Sequence, residues 1–354
     1  MRVTNSMLVS NLMRNLNGSM TRMDKLQNQM STGRKYGHIS DDPTALVYSQ
    51  AARNKLARLE NYQRTVGTAQ DWLTQAEAGI MELQSTIVNA YELAVDAAND
   101  PKNTGDTSDK RNIGQVIKQL REHFVDTLNA TFGDKFVFGG YNTPGDPTTG
   151  TVDQGVKAFT IEGTPPSLYY NGFNLSQFEG MEYADFVADP PTVMVAELTE
   201  LRSLASDILT FDVGTGVEMP VTMNGIELLL FPTPRDGDGV MIVRNAWNVL
   251  QELYELTDAG APAEDISKVI LPLQGAQNHL LTKTAEIGGR VRRLELLEAR
   301  YEQDAINYER MRSDAEDVDM AEVIMKLKMA EAVHQAALSA GARVIQPTLM
   351  DFLR

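Results

Sequence analysis

The stretch LENYQRTVGTAQDWLTQAEAGIMELQSTIVNAYELAVDA, Leu59 to Ala97, decides the fold. Leu59, Tyr62, Val66, Ala69, Leu73, Ala76, Ile80, Leu83, Ile87, Ala90, Ala94 and Ala97 fall at alternating steps of three and four, and all are apolar. That period is the seam of a helix meeting another helix. At about 1.5 Å per residue the stretch is about 60 Å long. No second long helix follows it closely, so its partner must lie far off in sequence.

A matching seam begins after Pro262, with Ile266, Ile270, Leu273, Leu280, Ile287, Val291, Leu294, Tyr301, Ala305 and Tyr308. Gln277, Thr284 and Glu298 are its polar exceptions. The expected intrachain seam sets Leu59, Val66, Leu73, Ile80 and Ile87 against Ile287, Val291 and Leu294. Pro272 is expected to kink this helix or to break it near its start. Gly288 and Gly289 each cost about 1 kcal/mol against Ala, and the expected return is close approach of another helix there.

The two ends repeat the pattern. Val9, Leu12, Leu16, Ser19, Met23, Leu26 and Met30 form an N-terminal seam. Val323, Leu327, Ala330, Val333, Leu338 and Val344 are the apolar candidates of a C-terminal helix that runs from Val318 to Val344 and ends at Gln346-Pro347. Nesting pairs these two helices as it pairs the long ones. Short helices alone are marginal in water. The terminal pair is therefore expected to be poorly ordered alone and to fold on assembly. Val9, Leu12, Leu16, Met23, Leu26, Met30, Val323, Leu327, Leu338 and Val344 are the candidate assembly interface. The segment Ser31–Pro43 interrupts the helices: Gly33 and Gly37 permit unusual backbone angles. Asp42 can cap the next helix with Pro43 at its first position, and Asp41 adds negative charge at that helix start.

A shorter helix is expected from Asp109 to Thr131, then a strand over Lys135–Tyr141 entering a glycine turn. From about 145 to 240 the chain becomes rich in Pro, Gly and Thr. Short β-prone runs appear at Ala158–Ile161, Glu218–Thr222 and Ile226–Phe231, with one helical stretch at Met194–Leu209. Helical periodicity resumes over Val240–Leu256. The expected fold is mainly α with a β-rich insertion: an elongated rod of nested antiparallel coiled-coil helices, both termini at one end. Three regions follow: residues 1–40 with 316–354 as a terminal assembly domain, 41–145 with 240–315 as the long-helix core, and 146–239 as an outward-facing insertion.

Bulk properties exclude several functions. The net charge of −16 disfavours nucleic acid and anionic lipid as partners. With no cysteine among 354 residues, disulfides, thiolate catalysis and Cys-ligated metals are ruled out, as suits a protein exported unfolded. No stretch approaches a membrane span. The start, MRVTNSMLVSNLMRNLNG, lacks the apolar core and cleavage site of a secretory leader. His38, His123, His279 and His334 show no metal-ligand spacing. Arg235–Gly239 lacks the third acidic position and closing Glu of a calcium loop and is expected to be a hairpin turn. Val213-Gly-Thr-Gly216 lacks a phosphate-loop context, and no nucleophile or metalloprotease motif is present. No catalytic constellation and no cofactor site is read from the sequence.

Three segments carry a resemblance. Met30-Ser-Thr-Gly-Arg-Lys-Tyr-Gly-His-Ile-Ser-Asp-Asp-Pro43 resembles the N-terminal signature of the bacterial flagellin family. Glu92-Leu-Ala-Val-Asp-Ala-Ala-Asn99 is similar to the end of that family's first long helix, and Ser313-Asp-Ala-Glu-Asp-Val-Asp-Met-Ala-Glu322 resembles its C-terminal signature. The stretch Asn129-Ala-Thr-Phe-Gly-Asp-Lys-Phe-Val-Phe-Gly-Gly-Tyr-Asn142 and the tail Gln346–Leu353 resemble the branch of the family that joins hook to filament rather than the filament subunit. The resemblance covers about residues 1–145 and 240–354.

It implies an extracellular, non-enzymatic adaptor exported without a cleaved signal. Its copies would form a ring about the flagellar axis, between another hook-associated protein and flagellin. A cytoplasmic export chaperone would hold its C-terminal helix beforehand. The alternatives are a filament-forming flagellin and a coiled-coil protein with a binding site in the insertion. Recognition by host innate receptors is a fourth reading; the Arg expected shortly before Glu92 is absent from Ser85–Tyr91.

Overall fold

The computed structural model describes residues 5–38, 40–99, 108–133, 135–140, 157–187, 208–235 and 239–345. It is mainly α with small antiparallel sheets. Two compact units are present: Met1–Asn61 with Arg300–Arg354, and Tyr62–Ala299. The long helices α2 (Pro43–Ala98) and α7 (Ala263–Glu316) contribute to both.

In the second unit the opening seam is the core. Val66, Ala69, Leu73, Ala76, Ile80, Leu83, Ile87, Ala90, Ala94 and Ala97 are all fully buried, as are Leu280, Ile287 and Leu294 of α7. Val291 is half-buried. Gln70 donates to Glu298 at 3.0 Å, and Gln274 donates to the Tyr91 hydroxyl at 3.3 Å. As α2 advances, its partner positions on α7 recede, so the helices run antiparallel. This register sets Leu73 near Leu294 and Ile80 near Ile287. The seven-residue spacing of buried positions is that of a left-handed helix pair.

The break offered at Pro272 and the close approach expected at Gly288–Gly289 are not found in α7. The helix runs unbroken through Pro272. The missing amide removes one hydrogen bond, and the burial of Ile266, Val269, Leu273 and Ala276 around it outweighs that loss. Gly288 and Gly289 have nothing within 4 Å of an added Cβ, so no helix approaches there. Close approach occurs instead at Gly79, where a Cβ would lie 2.9 Å from the Phe138 ring, and at Gly275, 3.0 Å from Phe231.

The helix α3 (Ser108–Leu128) leads to a hairpin of β1 (Thr131–Phe132) and β2 (Lys135–Phe136), turning at Gly133 with φ +60°. Phe136, Val137 and Phe138 follow as buried residues, and Trp72 of α2 meets Phe132 edge-on at 5.5 Å. Asn129 grips the insertion: its side chain donates to the Phe159 carbonyl at 3.0 Å and accepts from the Phe159 amide at 2.9 Å.

The described insertion holds β3 (Phe159–Glu162), β4 (Ser167–Tyr170) and β5 (Phe173–Asn174) in one sheet, then the short helix α4 (Tyr183–Val187). A hairpin of β6 (Thr210–Gly214) and β7 (Val217–Pro220) turns at Thr215–Gly216, so Val213-Gly-Thr-Gly216 is the end of a strand and its turn. The helix expected at Met194–Leu209 lies, except for its last two residues, outside the described residues.

The run Ile226–Phe231 is not one strand. Asn224 accepts from the Ile226 amide and starts a short helix, α5 (Gly225–Leu229), before β8 (Leu230–Pro234). Likewise Val240–Leu256 is not all helix: β9 (Met241–Asn245) pairs with β8 before Asn245 caps α6 (Ala246–Asp258). Ile226–Phe231 and the opening Val240–Val243 are too densely apolar for periodicity to separate helix from strand. β8 and β9 pair antiparallel on either side of Arg235–Gly239, of which residues 236–238 lie outside the described residues, and the Arg235 amide donates to the Val240 carbonyl at 2.8 Å.

α3 packs on α6. The buried Arg121 guanidinium lies 5.6 Å from the Trp247 ring and 5.1 Å from Tyr254, and it donates to Gln251. The buried Lys110 ammonium donates to the Ala261 carbonyl at 2.9 Å, satisfying an acceptor just beyond the end of α6.

In the first unit α1 (Asn5–Thr32) packs along α8 (Met320–Ile345). Arg34 bridges to Asp317 at one end, and Gly341 faces Leu12 at the other, so the pair is antiparallel. An added Cβ at Gly341 would sit 2.7 Å from Leu12 Cδ2. The terminal helices are thus partnered with each other within the chain. Each covers the other's seam, which supplies the burial that neither has by itself.

Candidate assembly surface

The two ends of the chain are tied by one carboxylate. Glu316, the last residue of α7, has a side chain only 4% exposed. Its Oε1 pairs with Arg34 Nε at 2.8 Å and with Arg53 of α2, and its Oε2 accepts from Ser49 Oγ at 3.0 Å. Its carbonyl accepts from the Lys35 amide at 2.7 Å, and the Val318 amide donates to the Gly33 carbonyl at 2.9 Å. Lys35 Nζ adds a bond to the Asp314 carbonyl at 2.6 Å. Burial opposes ionisation of Glu316. The hydrogen bonds from Arg53 and Ser49, with the charges of Arg53 and Arg34, outweigh it and hold the carboxyl below its usual value.

Local chemistry shapes this knot. Gly33, at φ +70°, ends α1, and its amide returns to the Gln29 carbonyl. Asp42 Oδ1 accepts from the Ala45 amide at 3.0 Å and caps α2, as expected. Asp41 does something other than expected: it closes the turn, accepting from the Gly37 and His38 amides and pairing with Lys25 at 2.9 Å. The Lys25 hydrogen bond is the main cause holding its carboxyl low. Asp319 Oδ1 caps α8 through the Ala321 amide at 2.9 Å.

The proposed interface residues divide. Val323 and Leu327 are buried within the chain, while Val9, Leu12, Leu16, Met23, Leu26 and Met30 are half-buried on the inner face of α1. Leu338 is exposed, and the side chain of Val344 is outside the described residues. A second apolar set, missed by the seam reading, faces solvent: Met7, Met13 and Met20 on α1, and Ile324, Met325 and Met329 on α8; Val333, expected in the seam, is exposed with them. Its signal was in the sequence as a second stripe. Met13 and Met20 are two helical turns apart, and Met325, Met329 and Val333 are spaced by four. The intrachain seam residues Leu59, Val66, Leu73, Ile80, Ile87, Ile287 and Leu294 are buried.

The histidines are spread out. His38 is exposed, His123 meets Glu82 at 2.9 Å, His279 donates through Nε2 to the Glu227 carbonyl at 2.7 Å, and His334 is half-buried. Burial lowers the pKa of His279. Among the described residues no group of three or more His, Asp or Glu could hold a metal, and no helix is long and apolar enough to cross a membrane.

Residues 3–143 match the family model of the bacterial flagellin N-terminal helical region. Those residues contain α1, the Gly33–Asp42 turn, α2 and α3, the elements just described. The chain carries the N-terminal helical region of the flagellin family. Among family members, flagellar hook-associated protein 3 of Salmonella typhimurium is 24% identical over 346 residues, 95% of each chain. The fold is also that of two solved structures. A putative flagellar hook-associated protein from Vibrio parahaemolyticus matches with TM-score 0.56 and 17% identity, covering 78% of this chain and all of that one. The flagellar junction protein FlgL from Legionella pneumophila matches with TM-score 0.54 and 11% identity, covering 76% of this chain and all of that one.

Proposed function

We propose that this chain is a structural adaptor of the bacterial flagellum, joining the hook to the filament. The observation that carries the reading is the end-to-end match with a hook-associated protein 3, over 95% of both chains. It favours the adaptor over the filament subunit. The Asn129–Phe138 segment supports it: Phe138 seats against Gly79, and Asn129 holds the insertion to α3, so the segment is built into the core.

In this reading residues 1–40 and 316–354 form the assembly domain. Residues 41–145 and 240–315 form the helical core, and 146–239 face outward. Copies meet through the outer faces of α1 and α8. Burying one such side chain is worth about 1.5–3 kcal/mol. Association costs about 4–15 kcal/mol in lost freedom. A cluster as large as Met7, Met13, Met20, Met325, Met329, Val333 and Leu338 is therefore required, and it is present. The partners are copies of this chain in an axial ring, another hook-associated protein on one side and flagellin on the other. A cytoplasmic chaperone shields the C-terminal helix before export, which leaves the N-terminus uncleaved. The working location is outside the cell, and the role is non-enzymatic.

Reconstitution tests this. Isolated hooks bearing the preceding hook-associated protein are given this chain and then flagellin. Filaments should grow only when the chain is added first, and the chain alone should add no long filament. Filament growth without it would end the adaptor reading, and elongation by the chain alone would make it a flagellin.

A further inference from the structure

The chain has seventeen methionines and no cysteine, so thioether oxidation is the only sulfur redox chemistry open to it. Those thioethers are not spread evenly. Met7, Met13, Met20, Met23 and Met30 lie on α1, and Met320, Met325 and Met329 on α8. Of these, Met13 and Met20 are 54% and 55% exposed, and Met325 and Met329 are 62% and 63% exposed. Met219 and Met223 in the insertion are buried. The pairing of α1 with α8 covers the inner seams and leaves these four sulfurs on the outer faces.

We propose that Met13, Met20, Met325 and Met329 are oxidant-sensitive modification sites, and that their conversion to sulfoxides switches off assembly of the free subunit. The oxidant is a peroxide. The thioether lone pair attacks one peroxide oxygen, the O–O bond breaks, sulfur is oxidised by two electrons, and the other oxygen leaves as water. The product is polar and a strong acceptor, so the outer face loses the apolar character that packing against a neighbour requires. The inner seam and the Glu316 knot are untouched, so the subunit stays folded. Reduction by a methionine sulfoxide reductase with a dithiol restores the thioether. The proposal about assembly rests on the adaptor reading; the proposal about reactivity does not.

The full-length chain is treated with limiting hydrogen peroxide, and oxidation is mapped by peptide mass spectrometry. Oxidation at the four sites should run about tenfold faster than at Met219 and Met223. Equal rates would overturn the site assignment. Treated protein is then tested for binding to isolated hooks bearing the preceding hook-associated protein, beside untreated protein, reductase-repaired protein and a variant with all four residues changed to Leu, the variant measured before and after peroxide. Oxidation should cut binding about tenfold or more, repair should restore it, and the Leu variant's own level of binding, whatever it is before treatment, should not change with peroxide. Binding that survives oxidation overturns the switch, as does loss of binding in the peroxide-treated Leu variant. If untreated protein does not bind hooks, the adaptor reading and the switch fall together, while the peptide map still decides the reactivity.

Discussion

Glu316→Gln should loosen the tie between the chain's two ends without unfolding the helices it joins. The wild-type carboxylate receives charged contacts from Arg34 and Arg53 and a hydrogen bond from Ser49. Hydrogen bonds to charged groups are worth about 1.5–3 kcal/mol each. Arg34 and Arg53 are 55% and 40% exposed, so water replaces part of what they lose. The amide side chain keeps the Ser49 contact. The net cost is about 2 kcal/mol, or about thirtyfold in a local opening equilibrium. The Lys35 and Val318 amides read that opening, because their acceptors are the carbonyls of Glu316 and Gly33. Hydrogen exchange at both should accelerate by about thirtyfold at neutral pH. The sign with pH follows from the lowered pKa. The folded carboxyl titrates below the usual glutamate range, so its contribution is complete above that range and lost as pH falls through the folded value. Wild type and variant should converge in that acid range. Exchange at the two amides that changes by less than about twofold at neutral pH would refute the role of this carboxylate.

Leu73→Ala removes a fully buried seam residue and should cost about 2–5 kcal/mol in denaturant unfolding, against little change for Leu296→Ala on the exposed face. Gly79→Ala and Gly288→Ala should differ in sign. The first pushes on the Phe138 ring and should destabilise by about 1 kcal/mol net, while the second meets nothing and should stabilise by up to about 1 kcal/mol through helix propensity, both read as thermal melting shifts. Met325→Glu with Met329→Glu should leave melting within about 0.5 kcal/mol of wild type, because both positions are exposed, yet abolish binding to hooks.

The helical frame was legible because it repeats. Every third and fourth residue from Leu59 to Ala97 is apolar, and only a helix against a helix buries such a pattern. The nesting followed from chain order. What periodicity could not resolve was short or paired at long range. Ile226–Phe231 and Val240–Asn245 are dense in apolar residues, and a capping Asn, rather than their own preference, decides where helix begins. Pro272 and Gly288 were read by local rules that tertiary burial overrides at the first and that open space leaves idle at the second. At the ends, the seam on α1 and α8 was visible, but one stripe cannot say whether it meets its own chain or a neighbour. The structure closes it internally and leaves the methionine stripe outside. The Glu316 knot joins residues 34, 53 and 316, a distance in sequence that spacing cannot bridge, though both flanking signatures were recognisable as unusual.

The antiparallel register of α2 and α7 underlies all of this, and it can be measured directly because the chain has no native cysteine. Gln70 and Glu298, 3.0 Å apart at their side-chain ends, are changed together to Cys and treated with a short bismaleimide. The account predicts rapid intramolecular cross-linking for that pair, independent of protein concentration. It predicts none for Gln70 with Thr284, which the same register displaces by about 21 Å along α7. Equal cross-linking of the two pairs, or links formed only between molecules, would contradict it.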